Sequence, residues 1–369
     1  MNIIRQPMLY FLLLGLIALF AAASFIGQDR AALDEMAHEN TEIVSNFEKQ
    51  IEARFKEGLK DADSARELLK SDPAFALLFV ITAGVVLVAM PLGGLVLLVY
   101  LFVRAQGKEW IGRVHDPPPC DWRVSDIGRV AVLFVFVAYC VSMAIGLLAG
   151  AGYISEDELA REYPVASTLA LDLWAAFLVL VFARLAPSST PGIEAGLNRE
   201  GSPMPALGLV RKGWARSLAW GGVGYLCILP VFALSVSIVM GVAKLIQYEP
   251  PTHPLVTVFV AEESPITHAF SLILGLGVGP VVEELFFRGF CYAALKASYG
   301  VGRAIVVSSL LFSVLHWNPF SALPIFCLGV ALAYLYEKTG TLTASIAMHA
   351  IHNGLLILGL LLMKRLVGA

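Results

Sequence analysis

Charge is what this sequence has least of. Only 15% of its 369 residues are Asp, Glu, Lys or Arg, against about 25% in an ordinary soluble domain. The net charge of −3 and the absence of any basic run give no support for a nucleic-acid-binding surface, and no nucleic-acid partner is expected. Cysteine is sparse as well. Cys120, Cys140, Cys227, Cys291 and Cys327 form no CxxC pair, and four of them lie in or beside apolar runs, so no disulfide framework follows. There is no internal repeat, no low-complexity tract and no HExxH zinc signature.

What is present is apolar sequence in long blocks. The chain is 58% hydrophobic, with a mean hydropathy of +0.75. The blocks fall near Phe11–Ala23, Ala74–Val103, Val130–Ala149, Ala166–Val181, Leu218–Val242, Ala269–Phe287, Ala304–Leu315, Ala322–Tyr336 and Leu342–Met363. They reach or approach the roughly 20 residues a spanning helix needs. A bilayer cannot satisfy bare backbone groups, and runs this long without alternation are helical. The fold class is therefore all-α: a polytopic transmembrane bundle of eight or nine helices, with an extramembrane helical segment between the first two. Residues 1–27 read as an N-terminal anchor helix, although the run from Met8 to Phe20 followed by "AAAS" also resembles a signal peptide.

The extramembrane segment, 28–73, is acidic overall. Ile43, Phe47, Ile51, Phe55 and Leu59 recur every four residues as one stripe, and Glu52 and Lys56 make an i,i+4 pair. Packing on its own protein is the plain reading; a site for a partner protein is the sharper one. Residues 74–215 supply further helices and two basic loops, one with Arg104, Lys108, Arg113, Arg123 and Arg129 around the rigid "DPPPC", the other with Arg199, Arg211, Lys212 and Arg216. "SEDELARE" at 155–162 and the stretch 247–263 are acidic. Lys and Arg favour the cytoplasmic side, which puts the basic loops, Arg5, Lys296 and Arg303 inside and segment 28–73 outside. Lys364 and Arg365 are also expected inside, which would need a short or re-entrant piece in the last third.

Intramembrane ionisable groups gather after Ala215, with Asp172 the main exception upstream. Three clusters stand out there. In "GPVVEELFFRGF", Glu284 and Arg288 share a helix face at i,i+4 and can neutralise each other, while Glu283 is turned about 100° away. A desolvated Glu283 facing a cavity would suit a general base. Pro280, after Gly275, Gly277 and Gly279, suggests a kink or helix start just before the pair. The second cluster is Phe312-x-x-x-His316, and the third is His349-x-x-x-Asn353 with His352 beside it. Ionisable groups at such depth are functional-site candidates.

EExxxR, FxxxH and HxxxN in this order resemble the CPBP family of intramembrane proteases, also called Abi or CaaX-protease-like, which includes the eukaryotic Ras-converting CaaX endopeptidase. The resemblance covers Leu218 to Leu362, within a proposed protease core of 216–369, and extends to "TGTLTASIAMHAIHN". It implies a membrane endopeptidase acting on a membrane-associated peptide or protein, in contact with lipid. Glu283 and His316 would activate water, His349 and Asn353 would hold the oxyanion, and Glu284 and Arg288 would order the site. His352 lies outside the motif. A metal-free mechanism is favoured; zinc, held by Glu283, His316 and His349, is the alternative. Two other functions compete: a non-catalytic scaffold or bacteriocin-immunity or maturation partner, and a proton-coupled transporter, for which no inverted repeat is seen. The expected location is a bacterial inner membrane, as a multi-pass protein.

Overall fold

The computed structural model describes residues 6–27, 42–114 (except 55, 57–59 and 61), 122–155, 163–185, 207–209, 213–248, 260, 265–316 and 318–367. Expectations on Arg5, Phe55, Leu59, "DPPPC" and most of 155–162 and 247–263 fall outside these residues. Among the described residues there is no strand. The helices are α1 (Pro7–Gly27), α2 (42–54), α3 (Ala62–Ser71), α4 (Pro73–Gly84), α5 (Met90–Ala105), α6 (Val124–Gly150), α7 (Tyr163–Leu185) and α8 (Trp214–Leu245). They continue with α9 (Pro265–Ile273), α10 (Gly279–Glu284), α11 (Ala293–Tyr299), α12 (Val301–Val314), α13 (Ala322–Thr339) and α14 (Leu342–Val367). Three π-helical segments, Val85–Ala89, Leu274–Val278 and Leu285–Tyr292, join α4 to α5, α9 to α10 and α10 to α11 into continuous rods.

Among the described residues, seven helical stretches are long and apolar enough to cross a membrane: Phe75–Ala105, Val124–Gly150, Ala166–Arg184, Trp214–Leu245, Thr267–Tyr299, Ala322–Thr339 and Leu342–Val367. Pro7–Leu19 and Val301–Val314 are shorter apolar helices. The protein is thus a polytopic helical bundle. Exposed Leu, Val and Phe side chains along α1, α4, α5 and α8 form its lipid-facing surface.

Contacts at the helix ends sort the passes into two faces. On the first, Tyr10 of α1 lies under Arg129 near the start of α6. The amide of Val114, after α5, donates to Thr339 O at the end of α13 (2.9 Å), and the amide of Leu342, opening α14, donates to Gly208 O (2.9 Å). Lys296 of α11 pairs with Glu337 of α13 at 2.6 Å. Lys338 pairs with Glu109 at 2.8 Å, and that hydrogen bond holds the exposed Glu109 carboxyl below its usual range. On the opposite face, Ile51, Leu69, Phe75 and Leu78 pack on Leu362, Met363 and Leu366, and Tyr248, after α8, stacks on Phe320 with ring centroids 4.7 Å apart.

This arrangement corrects two expectations. Lys364 and Arg365 sit at the end where Ile51 and Leu69 pack, not at the end with Val114 and Gly208, because α14 starts beside Gly208 and its 26 residues run from there to the other face. The buried stripe of α2 is also shifted. Val44 and Phe47 are buried while Ile43 is 38% exposed, since the groove between α4 and α14 selects the 44/47/51 face. The Glu52–Lys56 pair forms as expected, at 2.6 Å.

The main core crosses the composition shift near Ala215. Trp122, Val130, Leu178 and Phe182 from upstream helices enclose Phe290, Tyr292, Leu295 and Leu342. Trp122 Nε1 donates to Phe290 O at 2.8 Å. The reversal into α14 is tight because Gly340 takes a left-handed φ of 72° and Thr341 Oγ1 accepts from the amide of Thr343 at 3.3 Å, capping the helix.

Candidate active site

Glu283 and Glu284 sit at the junction of α10 with the second π segment of one long rod. The first π segment has a local cause. In the Leu274–Val278 turn, the Gly279 amide donates to Leu274 O, five residues back. Gly275 O would need the amide of residue 280, but that residue is Pro280 and has no N–H. A Cβ on Gly279 would lie 2.8 Å from Leu274 O, so this turn requires glycine. The expected kink or helix start is therefore a widened turn in an unbroken helix, and π turns of this kind occur frequently at functional sites.

Asn353 of α14 completes the turn: its Nδ2 donates to Gly275 O at 2.9 Å. Glu284 and Arg288 form the expected pair, Nη1 to Oε1 at 2.7 Å, both without exposed surface. Arg288 Nη2 also donates to Gly329 O of α13 at 3.1 Å, and the guanidinium lies 4.5 Å from the centre of the Phe312 ring. Glu284 Oε1 is shared: His349 Nδ1 donates to it at 3.0 Å. That bond turns His349 Nε2 toward Glu283 Oε2, at 3.8 Å, too long for a direct hydrogen bond. Glu283 differs from its neighbour in exposure, with a side chain 34% accessible; the Oε2 atoms of both glutamates are buried without a hydrogen-bond partner among the described residues.

His316 lies just beyond the end of α12 and is exposed. Its Nδ1 pairs with Phe312 O at 2.7 Å. A carbonyl can only accept, so Nδ1 carries the proton and the lone pair of the neutral ring is on Nε2. The fully buried Phe312 ring stands between the two histidines, 4.7 Å from His316 and 5.8 Å from His349, centroid to centroid. His352 faces away from this cluster, against Tyr225 and Phe232.

The structure thus gathers Glu283, Glu284, Arg288 and His349 directly, His316 through Phe312, and Asn353 through the backbone of the π turn. Sequence reasoning missed three participants. Gly329 O and Gly275 O are backbone acceptors and carry no side-chain signal. Phe312 was seen only as a residue sharing a face with His316. Among the described residues, no three His, Cys, Asp or Glu side chains are grouped so as to hold a metal ion. A separate apolar cavity of about 480 Å³ lies between α5, α8 and α13, reaching Met348 but none of the cluster residues.

Fold and site together define a multi-pass helical membrane protein with an ionisable centre at the level of the bilayer. Residues 265–355 match the Rce1-like family model, described as Type II CAAX prenyl endopeptidase Rce1-like. The chain is 31% identical over 149 residues to the membrane-embedded CAAX protease MroQ of Staphylococcus aureus, a match covering 38% of this chain and 57% of that protein. It is 28% identical over 87 residues to the putative membrane peptidase YdiL of Bacillus subtilis, covering 24% of this chain and 36% of that protein. The chain thus spans about half or less of the length of these bacterial relatives. No solved structure matches. The EExxxR, FxxxH and HxxxN motifs at 283–288, 312–316 and 349–353 all fall inside the segment that the Rce1-like model matches.

Proposed function

We propose that the protein is an intramembrane endopeptidase that hydrolyses a peptide bond of a membrane-associated polypeptide, with Glu283 as general base. The observation carrying this reading is the asymmetry of the glutamates. Glu284 has no exposed surface and its Oε1 takes both Arg288 and His349, whereas Glu283 beside it is 34% accessible and comes no nearer to His349 than 3.8 Å. A carboxylate so placed accepts a proton from water as that water attacks the scissile carbonyl. His316, with its lone pair on Nε2, orients the same water. The oxyanion forms on the carbonyl oxygen and is met by an N–H of His349 Nε2, once that ring holds a second proton, and by the N–H of Asn353 that Gly275 does not use. The proton taken by Glu283 passes to the amide nitrogen as the C–N bond breaks.

The test is hydrolysis of a membrane-peptide library by the purified protein. Glu283→Gln and His316→Ala are each expected to lower the rate by about 10²–10⁴-fold while helicity and detergent monodispersity stay as in the wild type. Retained activity in both variants, or a wild type that cleaves nothing, defeats the reading. Metal independence is part of the proposal: activity is expected to survive exhaustive chelation, with metal content measured on the same sample.

A further inference from the structure

The apolar cavity between α5, α8 and α13 is made by the way these helices meet. α5 and α8 touch at Gly93, where a Cβ would overlap Leu226 O. Toward the end of α5 and the start of α8, the bulky Tyr100 and Trp220 line the gap between them. Gly224 seats α8 against the back wall: a Cβ there would lie 3.1 Å from Leu335 and 3.2 Å from Met348. The volume left is about 480 Å³, within the roughly 300–1,000 Å³ of small-molecule sites. Along α8 it runs from Trp220 to Val231, ~16 Å at the helical rise.

The two ends of this cavity differ in chemistry. Among the described residues, the only side chains in its deeper part that can hydrogen-bond are the thiols of Cys227 and Cys327, both weak partners. Polar groups collect instead at Arg104, in the last turn of the Phe75–Ala105 span. Tyr100 and Tyr334 join their hydroxyls in a hydrogen bond, and Trp110 stacks on Tyr100 with ring centroids 6.3 Å apart. Arg104 and Lys338 both reach Glu109, at 3.8 and 2.8 Å. Arg216, one turn before Trp220 on α8, lies against Gly112, whose Cβ would overlap the guanidinium. Three cations and one carboxylate therefore stand at this rim, a surplus of two positive charges.

These features restrict the occupant. A helix ~16 Å long and roughly 10 Å across would fill about 1,200 Å³, more than twice the space. An extended peptide would bring one N–H and one C=O per residue to deep walls that offer only two thiols. A hydrocarbon chain needs no polar partner, and cations at the border of a spanning helix suit a negative head group. We propose that the cavity is a binding site for an acyl chain of an anionic membrane lipid, its phosphate held at Arg104 and Arg216. The site is separate from the glutamate cluster, and the proposal does not rest on the proteolytic reading.

The test uses the full chain in nanodiscs and a phosphatidylglycerol probe with a diazirine near the end of one acyl chain, its photo-adducts mapped by mass spectrometry. Adducts are expected on the cavity-lining peptides of α5, α8 and α13. Unlabelled phosphatidylglycerol should displace the probe at about tenfold lower concentration than phosphatidylcholine. Arg104→Gln combined with Arg216→Gln should abolish that preference. Ala331→Phe and, from the facing wall, Val223→Phe fill the cavity and should remove its adducts while the exposed face of α1 keeps those it gains from the bulk bilayer. Thermal midpoints show which of the two variants folds, and the competition on wild type holds in either case. Adducts spread evenly over α1, α4 and the cavity peptides, or adducts that survive filling, overturn the site. Equal displacement by phosphatidylcholine overturns the anionic class. Displacement by a farnesylated peptide below the concentration phosphatidylglycerol needs overturns the assignment to a membrane lipid.

Discussion

Arg288 is a guanidinium with no exposed surface, held by Glu284, Gly329 O and the face of Phe312. Removing one partner of a buried ion pair leaves the other charge uncompensated. Arg288→Met is therefore expected to destabilise the protein by about 3–5 kcal/mol, seen as a lower midpoint in thermal unfolding in detergent. Arg288→Lys keeps the charge but lacks the planar fork that spans Glu284 and Gly329, so its midpoint should fall between wild type and Arg288→Met; a midpoint equal to that of Arg288→Met would show that the fork geometry, not the charge, carries the stability. The Glu284–Arg288 pair was legible in the sequence because i,i+4 spacing puts two side chains on one face. The partition of His349, Nδ1 to Glu284 and Nε2 toward Glu283, was not. Ring orientation depends on where α14 lies against α10, which spacing within α14 does not encode.

At the scale of the helix, the π turn and its Asn353 brace are a coupled unit. Pro280 withholds the amide that Gly275 O would use, and Asn353 replaces it. Asn353→Ala should cost about 1–3 kcal/mol, the penalty of an unsatisfied buried acceptor. In a Pro280→Ala background an amide is restored five residues after Gly275, so the same substitution should cost less. A double-mutant cycle on unfolding free energy tests this, and equal costs in the two backgrounds would count against it. Gly279→Ala places a Cβ 2.8 Å from Leu274 O; it is expected to shift Glu283 and reduce peptide cleavage more than it reduces thermal stability. The run Gly275-x-Gly277-x-Gly279-Pro280 announced an irregular helix, but whether that meant a start, a kink or a widened turn depended on a partner 78 residues away.

For the molecule as a whole, the two faces are pinned by few polar contacts. One is Lys338–Glu109, which ties the loop after α5 to the end of α13. Because the Glu109 carboxyl is held below its ordinary value of 4.5, its contribution is present above that value and is lost as pH falls through the lowered one. Hydrogen exchange at the Val114 amide, which donates to Thr339 O beside this pair, should lose protection on acidification after correction for intrinsic rates, and Lys338→Met should remove that pH dependence. Some whole-molecule features were written in the residues themselves. Apolar block length pointed to eight or nine helices, since a bilayer accepts little else, and among the described residues seven are long and apolar enough to span, with two shorter apolar ones beside them. The three motifs marked the residues that the fold gathers, Glu283, Glu284, Arg288 and His349, because ionisable groups are costly in lipid unless they are paired. Tertiary structure alone decided which face the last helix reaches, which stripe of α2 is buried, and how the His349 ring is shared between the two adjacent glutamates. Each of those depends on contacts between residues far apart in the chain, and helical periodicity orders side chains around one axis without saying what stands opposite.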